Sequence, residues 1–221
     1  MKKKYVQVGL GGRARFFYEA IASTYHQTCE LVGFCDVSQT RMDYANRILV
    51  NKYGQKKVKT CMPSQFEQLL DDVRPAEVII TSVDRTHHDY IIRAMKKGYD
   101  VICEKPLTID EEKAQEIITV QKQTGRSLRV TFNYRYAPYH TKIKELIESD
   151  VIGDVFSIHF EWLLNAQHGA DYFRRWHRNK HNSGGLLVHK STHHFDLVNF
   201  LVEQPSPKGI CIRWIKLLWD A

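Results

Sequence analysis

The chain has 221 residues, with 32 basic and 25 acidic side chains and a formal net charge of +7. That length admits one large domain or two small ones, and 43% apolar with 26% charged residues is ordinary globular usage that argues against disorder. No basic run exceeds Lys2-Lys3-Lys4 and no apolar stretch approaches the roughly 18 residues of a membrane span, so neither a nucleic-acid nor a membrane partner is expected. The five cysteines are scattered and form no CxxC pair, which points to free thiols in a reducing compartment. The opening lysines run straight into a strand-like segment with no signal-peptide pattern, so a cytoplasmic protein is expected.

Strand-like and helix-like segments alternate through the first 130 residues. Tyr5–Gly9 reads as a strand, Arg13–Tyr25 as a helix, Glu30–Asp36 as a second strand and Gln39–Val50 as a second helix. Val58–Cys61 is a short third strand, and Pro63 and Ser64 begin a helix that runs to Asp72. Glu77–Ser82 has the near-continuous apolar character of a strand buried on both faces. His88–Lys97 reads as a helix closed by Gly98, and Tyr99–Cys103 as a fifth strand. Asp110–Gln123 is a helix with Asp110 or Thr108 as N-cap and Gly125 as C-cap, and Leu128–Phe132 is a sixth strand. This alternation implies right-handed βαβ units, and so an α/β, doubly wound parallel-sheet (Rossmann) domain over residues 1–130.

After residue 133 the rhythm changes. Tyr139–Ser149 reads as a helix, Val155–Leu164 as a half-exposed strand, and the segment after Ser183-Gly184-Gly185 as a helix through Val202. Residues 131–221 are expected to form an incomplete α+β substrate or dimerisation domain.

The first strand is followed directly by Gly9-Leu10-Gly11-Gly12-Arg13-Ala14, a GxGxxA turn opening a helix. Gly9 permits the tight turn, Gly11 and Gly12 let a pyrophosphate approach the backbone, and Ala14 lets the helix pack on the sheet. The helix start, beginning at Arg13, offers free N–H groups to the phosphates. Asp36 ends the second strand where a ribose-binding carboxylate is expected, which favours NAD over NADP, with Ser38 and Arg41 close by.

Ligands of such sheets bind outside the carboxyl ends of the strands, which here carry Thr81-Ser82-Val83, Glu104-Lys105-Pro106 and Asn133-Tyr134-Arg135. Together with GLGGRA, TSVDRTH, VICEKPL, FNYRYAP and SGGLLVHKSTHHFDL, in this order over about residues 4–202, they make the chain resemble the Gfo/Idh/MocA family. The resemblance implies an NAD(P)-dependent oxidoreductase acting on sugars, cyclitols and related alcohols. It implies that Lys105 sits beside the nicotinamide and hydrogen-bonds the reacting oxygen, where a cation stabilises developing negative charge. It implies a cis Lys105–Pro106 bond, with Glu104 anchoring the cofactor or Lys105, and Ser82 and His87 bordering the cofactor. His193 matches the histidine that positions substrate or moves its proton. His189 stands where many relatives carry Asp, and Lys190 takes over part of that function. Asp196, one turn beyond, reads as structural. Arg135, Tyr172, Trp176, His189, His193 and His194 are the expected substrate contacts.

Seven of the eleven histidines fall between His159 and His194. The spacings His177/His181 and His189/His193 would put two imidazoles on one face of a helix, which suits a divalent metal. No HExxH is present and carboxylates are sparse, so the expectation is no metal but a polar sugar pocket, with Asp171–Arg178 as a loop or helix over it. Residues 209–221 do not read as the strand the resemblance calls for. One codon choice for them, read one base later, does, so a frameshift from about Lys208 and a truncated second domain are expected, with homo-oligomerisation in doubt. The leading reading is hydride transfer between a nicotinamide and a sugar, cyclitol or glycoside alcohol. The alternatives are an NAD-dependent redox-neutral glycoside-processing enzyme and an inactive nucleotide-binding fragment.

Overall fold

The computed structural model describes residues 1–163 and 165–202. The stretch of expected frameshift lies outside them. Six strands, β1 (Lys3–Val8), β2 (Cys29–Cys35), β3 (Lys59–Cys61), β4 (Glu77–Ile80), β5 (Asp100–Glu104) and β6 (Leu128–Thr131), form one sheet in the order β3-β2-β1-β4-β5-β6. Every neighbouring pair is parallel. The order reverses between β1 and β4, so the crevice at their carboxyl ends is the place for a ligand.

Between the strands run α1 (Ala14–Ala22), α2 (Gln39–Tyr53), α3 (Phe66–Val73), α4 (His87–Lys96) and α5 (Glu111–Thr124). Side chains alternate along each strand, and the core divides accordingly. Phe34 of β2 packs with Ala14, Tyr18, Met42 and Leu49 of α1 and α2, while its neighbour Cys35 packs with Phe66, Leu70, Tyr90 and Ile91 of α3 and α4. Asp110 caps α5 by accepting the Lys113 N–H at 2.9 Å, and Gly125 ends it in the left-handed conformation.

Beyond β6 come α6 (Pro138–Glu148), α7 (Ala166–Gly169), α8 (Asp171–Arg174), α9 (Lys180–Ser183), α10 (Leu186–His189) and α11 (Thr192–Val202). Residues Met1–Phe132 and Leu163–His193 make one compact unit, and Asn133–Trp162 with the described residues from His194 make a second. Three expectations are corrected here. Val155–Leu163 is not a strand: among the described residues no strand pairs with it, and an extended segment without a partner has no ladder. The helix from Leu186 to Val202 is broken after His189, for a reason given below. That break also separates His189 from His193, and His177 and His181 lie in different short helices, so neither histidine pair shares one helix face.

Candidate active site

The glycine turn is built into the sheet by buried polar groups. Gly9 has φ +80°, and a Cβ there would lie 2.5 Å from the backbone of Ser82. Gln7, fully buried in β1, donates to the Ala14 carbonyl at 3.0 Å and to Thr81 Oγ1 at 3.2 Å. Thr81 Oγ1 lies 2.5 Å from the Gly9 carbonyl. Sequence reasoning passed over Gln7, although a glutamine inside an apolar strand is the signal of such a network, and read Thr81 only as a polar group at a strand end. Gly9→Ala is expected to destabilise the fold by about 2–4 kcal/mol, because it combines a disfavoured φ with a backbone collision. Thermal denaturation checks this; an unchanged melting temperature contradicts it.

Asp36 ties the turn to α2. Its Oδ2 accepts the Leu10 N–H at 2.5 Å, its Oδ1 accepts the Ser38 N–H at 2.8 Å, and Arg41 Nη1 lies 3.5 Å from Oδ1. A Cβ on Gly11 or Gly12 would meet nothing within 4 Å, so the space above the turn is open to a ligand's phosphates. At the start of α1 the Ala14 and Phe16 N–H groups already donate to the Gly11 and Arg13 carbonyls at 3.1 and 3.2 Å, which leaves the N–H groups of Gly11, Gly12 and Arg13 for a ligand. These residues fit a dinucleotide.

On the other side of the switch point, Glu104 at the end of β5 is buried. It accepts from Arg13 Nε at 2.6 Å and from the Lys105 N–H at 3.2 Å. The Lys105–Pro106 bond is cis. His87, 1% exposed, is held between two carbonyls, with Nδ1 2.8 Å from that of Pro106 and Nε2 3.1 Å from that of Ser82. It therefore lies behind the lysine loop as a brace. Ser82 is partly buried, and its hydroxyl accepts from Thr86 Oγ1 at 2.7 Å.

Lys105 donates from Nζ to the His189 carbonyl at 2.8 Å. In a continuous helix that carbonyl would accept the His193 N–H, four residues on. The His193 N–H instead meets the Lys190 carbonyl at 3.3 Å, and the helix breaks there. Gly184 lets this segment seat: at φ +70° it comes so close to the Ile109 carbonyl that a Cβ would lie 2.7 Å from it. The His189 ring in turn meets Asp84 of the short turn Asp84–Thr86, with Nδ1 2.5 Å from Oδ2. Tyr172, Trp176 and His177 surround the ring at centroid distances of 5.5, 5.6 and 4.7 Å. Lys190 and His193 are buried beside it in sequence, and His193 stands edge-on to Phe132.

Burial sets the charges. It pushes the Asp84 carboxyl up to about 7, against the pull of His87, Lys105 and His177. Burial lowers the Lys105 ammonium to about 8, partly countered by Asp84 and Glu104. Burial, then Lys105 and Lys190, lowers His189 to about 3. Such opposed shifts in one cluster make it a candidate for acid–base chemistry.

Not every expected residue joins this cluster. Arg135 and His194 belong to the second unit. There Arg135 forms a two-pronged ion pair with Asp196, one arm at 2.7 Å, and His194 lies among the rings of Tyr134, Phe160 and Trp162. Among the described residues no group of three or more His, Cys, Asp or Glu side chains gathers as for a metal. No helix among them is long and apolar enough to cross a membrane.

A family profile described as "Oxidoreductase family, NAD-binding Rossmann fold" matches residues 3–132, and its companion "Oxidoreductase family, C-terminal alpha/beta domain" matches residues 144–210. The chain belongs to the Gfo/Idh/MocA oxidoreductase family. Relatives in this family include "Putative oxidoreductase YteT" of Bacillus subtilis, 35% identical over 91% of this chain and 47% of that protein. Glucose-6-phosphate 3-dehydrogenase of the same species is 29% identical over 91% of this chain and 54% of that one. The chain thus spans about half the length of the curated relatives it matches. Among solved structures, myo-inositol 2-dehydrogenase from Lactobacillus plantarum superposes with a TM-score of 0.78 at 20% identity, over 92% of this chain and 57% of that one. Scyllo-inositol dehydrogenase from Lactobacillus casei, with NAD(H) and scyllo-inositol bound, gives 0.75 at 23% identity over the same shares. Residues 3–132 are the family's NAD-binding Rossmann domain.

Proposed function

We propose that the chain carries the hydride-transfer centre of an NAD(P)-dependent oxidoreductase acting on a CH–OH group of a sugar, cyclitol or glycoside, with NAD favoured. The observation that carries this reading is the Lys105 ammonium, held by the His189 carbonyl at 2.8 Å at the carboxyl end of β5, two strands from the glycine turn with β4 between them. The names of relatives, a glucose-6-phosphate 3-dehydrogenase and an inositol 2-dehydrogenase, support the substrate class. In the domain division we favour, residues 1 to about 130 serve the nucleotide and residues 131–221 the substrate. The thiols of Cys29, Cys35, Cys61 and Cys103 suit a reducing, cytoplasmic setting.

The nicotinamide, when bound, supplies a two-electron hydride acceptor. The backbone at Gly11, Gly12 and Arg13 and the first turn of α1 hold the pyrophosphate, and Asp36 takes ribose hydroxyls. Glu104 fixes Arg13 and the Lys105 backbone, and His87 braces the loop from behind. Lys105 stabilises negative charge on the reacting oxygen as its carbon is oxidised. Lys190 and His193 orient the substrate, and Tyr172 and Trp176 offer ring faces to its apolar side.

Because burial lowers Lys105 to about 8, its charge is present below that pH and lost above it. Oxidation rate is therefore expected to fall as pH rises through about 8. A kcat/KM profile checks this, and a profile still climbing well above pH 8 contradicts it. The function itself is tested by screening the purified chain with NAD+ and NADP+ against polyols and glycosides, following reduced nicotinamide. Reduction with a cyclitol or glycoside is expected; nucleotide binding without turnover on any of them contradicts the reading.

A further inference from the structure

Asp84 is 3% exposed on the turn between β4 and α4, and the sequence separates it by more than a hundred residues from the ring it meets. A buried carboxylate against a buried imidazole at 2.5 Å is a costly pairing to keep. The groups facing Asp84 are His87 of α4, Lys105 after β5, His177 after α8 and His189 of α10. Those facing His189 are Lys105, Lys190 and Glu104, besides Asp84 and the surrounding rings. The other ring nitrogen of His189, Nε2, has no hydrogen-bond partner among the described residues. Its carbonyl takes the Lys105 ammonium, so the group that stabilises an alkoxide and the ring that could receive its proton sit on one residue.

We propose that Asp84 and His189 form a proton relay, with His189 Nε2 accepting the proton of the substrate hydroxyl and Asp84 as the positioning residue that sets the tautomer. This rests on the function proposed above, which supplies the hydride acceptor. The balance is as follows: the substrate O–H bond breaks and an Nε2–H bond forms, while the Nδ1–H bond breaks and an Asp84 Oδ2–H bond forms. The carbinol hydrogen leaves its carbon with the bonding electron pair, as the hydride. The shifts already described agree with this, because the pair takes up its proton at the carboxylate near pH 7 while the imidazolium form stays disfavoured. Above pH 7 the ring carries its proton on Nδ1 and Nε2 is open. Below it, the protonated carboxyl donates to Nδ1 and Nε2 carries the proton.

The test uses the full chain labelled with 15N-histidine, recorded from acid to alkaline pH, with His189 assigned from His189→Gln. In the unsubstituted chain the His189 tautomer is expected to switch with a midpoint near pH 7. In Asp84→Asn the amide donates to Nδ1 and locks Nε2–H at every pH, while Asp84→Glu restores the switch. With a substrate in hand, Asp84→Asn lowers kcat by about 10²–10⁴-fold with KM little changed. A single tautomer across the whole range in the unsubstituted chain, or an Asp84→Asn chain that switches like it, overturns the relay. NAD+ titrated into the same samples separates the two readings. A chain that fails to bind the nucleotide yet switches tautomer overturns the proposed function while supporting the Asp84–His189 pairing.

Discussion

Replacing Lys105 by Met is expected to lower kcat/KM for alcohol oxidation by about 10²–10³-fold, the usual cost of removing one donor from a developing oxyanion. Methionine keeps most of the length and loses the charge, so nucleotide affinity is expected to change less than tenfold. The effect has a structural signature as well. Lys105 donates to the His189 carbonyl at 2.8 Å, while the His193 N–H, which that carbonyl would accept in a continuous helix, lies on the Lys190 carbonyl at 3.3 Å. Without the ammonium, the carbonyl is free to close the ordinary helical bond, and α10 is expected to run on into α11. Arginine at 105 keeps its charge to high pH but cannot place it at the same point, so it should lose activity while flattening the fall near pH 8. Steady-state kinetics on the three proteins, with nucleotide titrations as a control, decide this. A Lys105→Met chain within tenfold of the original kcat/KM contradicts the role given to Lys105.

The second large effect is expected at Asp36. Its two oxygens accept the Leu10 and Ser38 N–H groups at 2.5 and 2.8 Å, and its side chain is nearly inaccessible. Asp36→Ala removes the acceptor for the ribose hydroxyls, and hydrogen bonds to a charged group are worth about 1.5–3 kcal/mol, so NAD+ affinity should fall roughly 10–100-fold. Arg41, now 3.5 Å from the carboxylate, is released. NADP+ carries a phosphate at the position the carboxylate repels, so its affinity should fall less or rise, and the preference should move toward NADP+. Calorimetric titration of both nucleotides checks this, with a melting curve to show that the chain stays folded. Equal losses for the two nucleotides contradict the placement of Asp36 at the ribose.

How much of this was legible in the sequence depends on range. The sheet was, because strand and helix periodicity is local: β4 and β5 were placed to within two residues at each end. The glycine turn and the Asp110 cap were legible for the same reason, since each is a short motif with its own backbone requirement, whereas the cis Lys105–Pro106 bond was expected only from the family resemblance. What failed depended on distant partners. The helix through Val202 is broken where the His189 carbonyl takes a hydrogen bond from a lysine over eighty residues earlier, a contact local pattern does not show, although Ser191 and Thr192 are residue types that start helices. Val155–Leu163 alternates like a strand, but alternation supplies no neighbouring strand to bond to. Asp84 stood in plain view within TSVDRTH and drew no attention, because its partner His189 was legible only as a departure from the expected Asp.

The central claim is that an adenine dinucleotide lies across the carboxyl ends of β1 and β4 with its redox ring delivered to Lys105. A crystal structure of this chain with NAD+ tests it most directly. The account predicts phosphates over Gly11 and Gly12, a ribose on Asp36 and the nicotinamide against the Lys105 ammonium. A nucleotide bound with its ring away from Lys105, or none bound at saturating concentration, would contradict it.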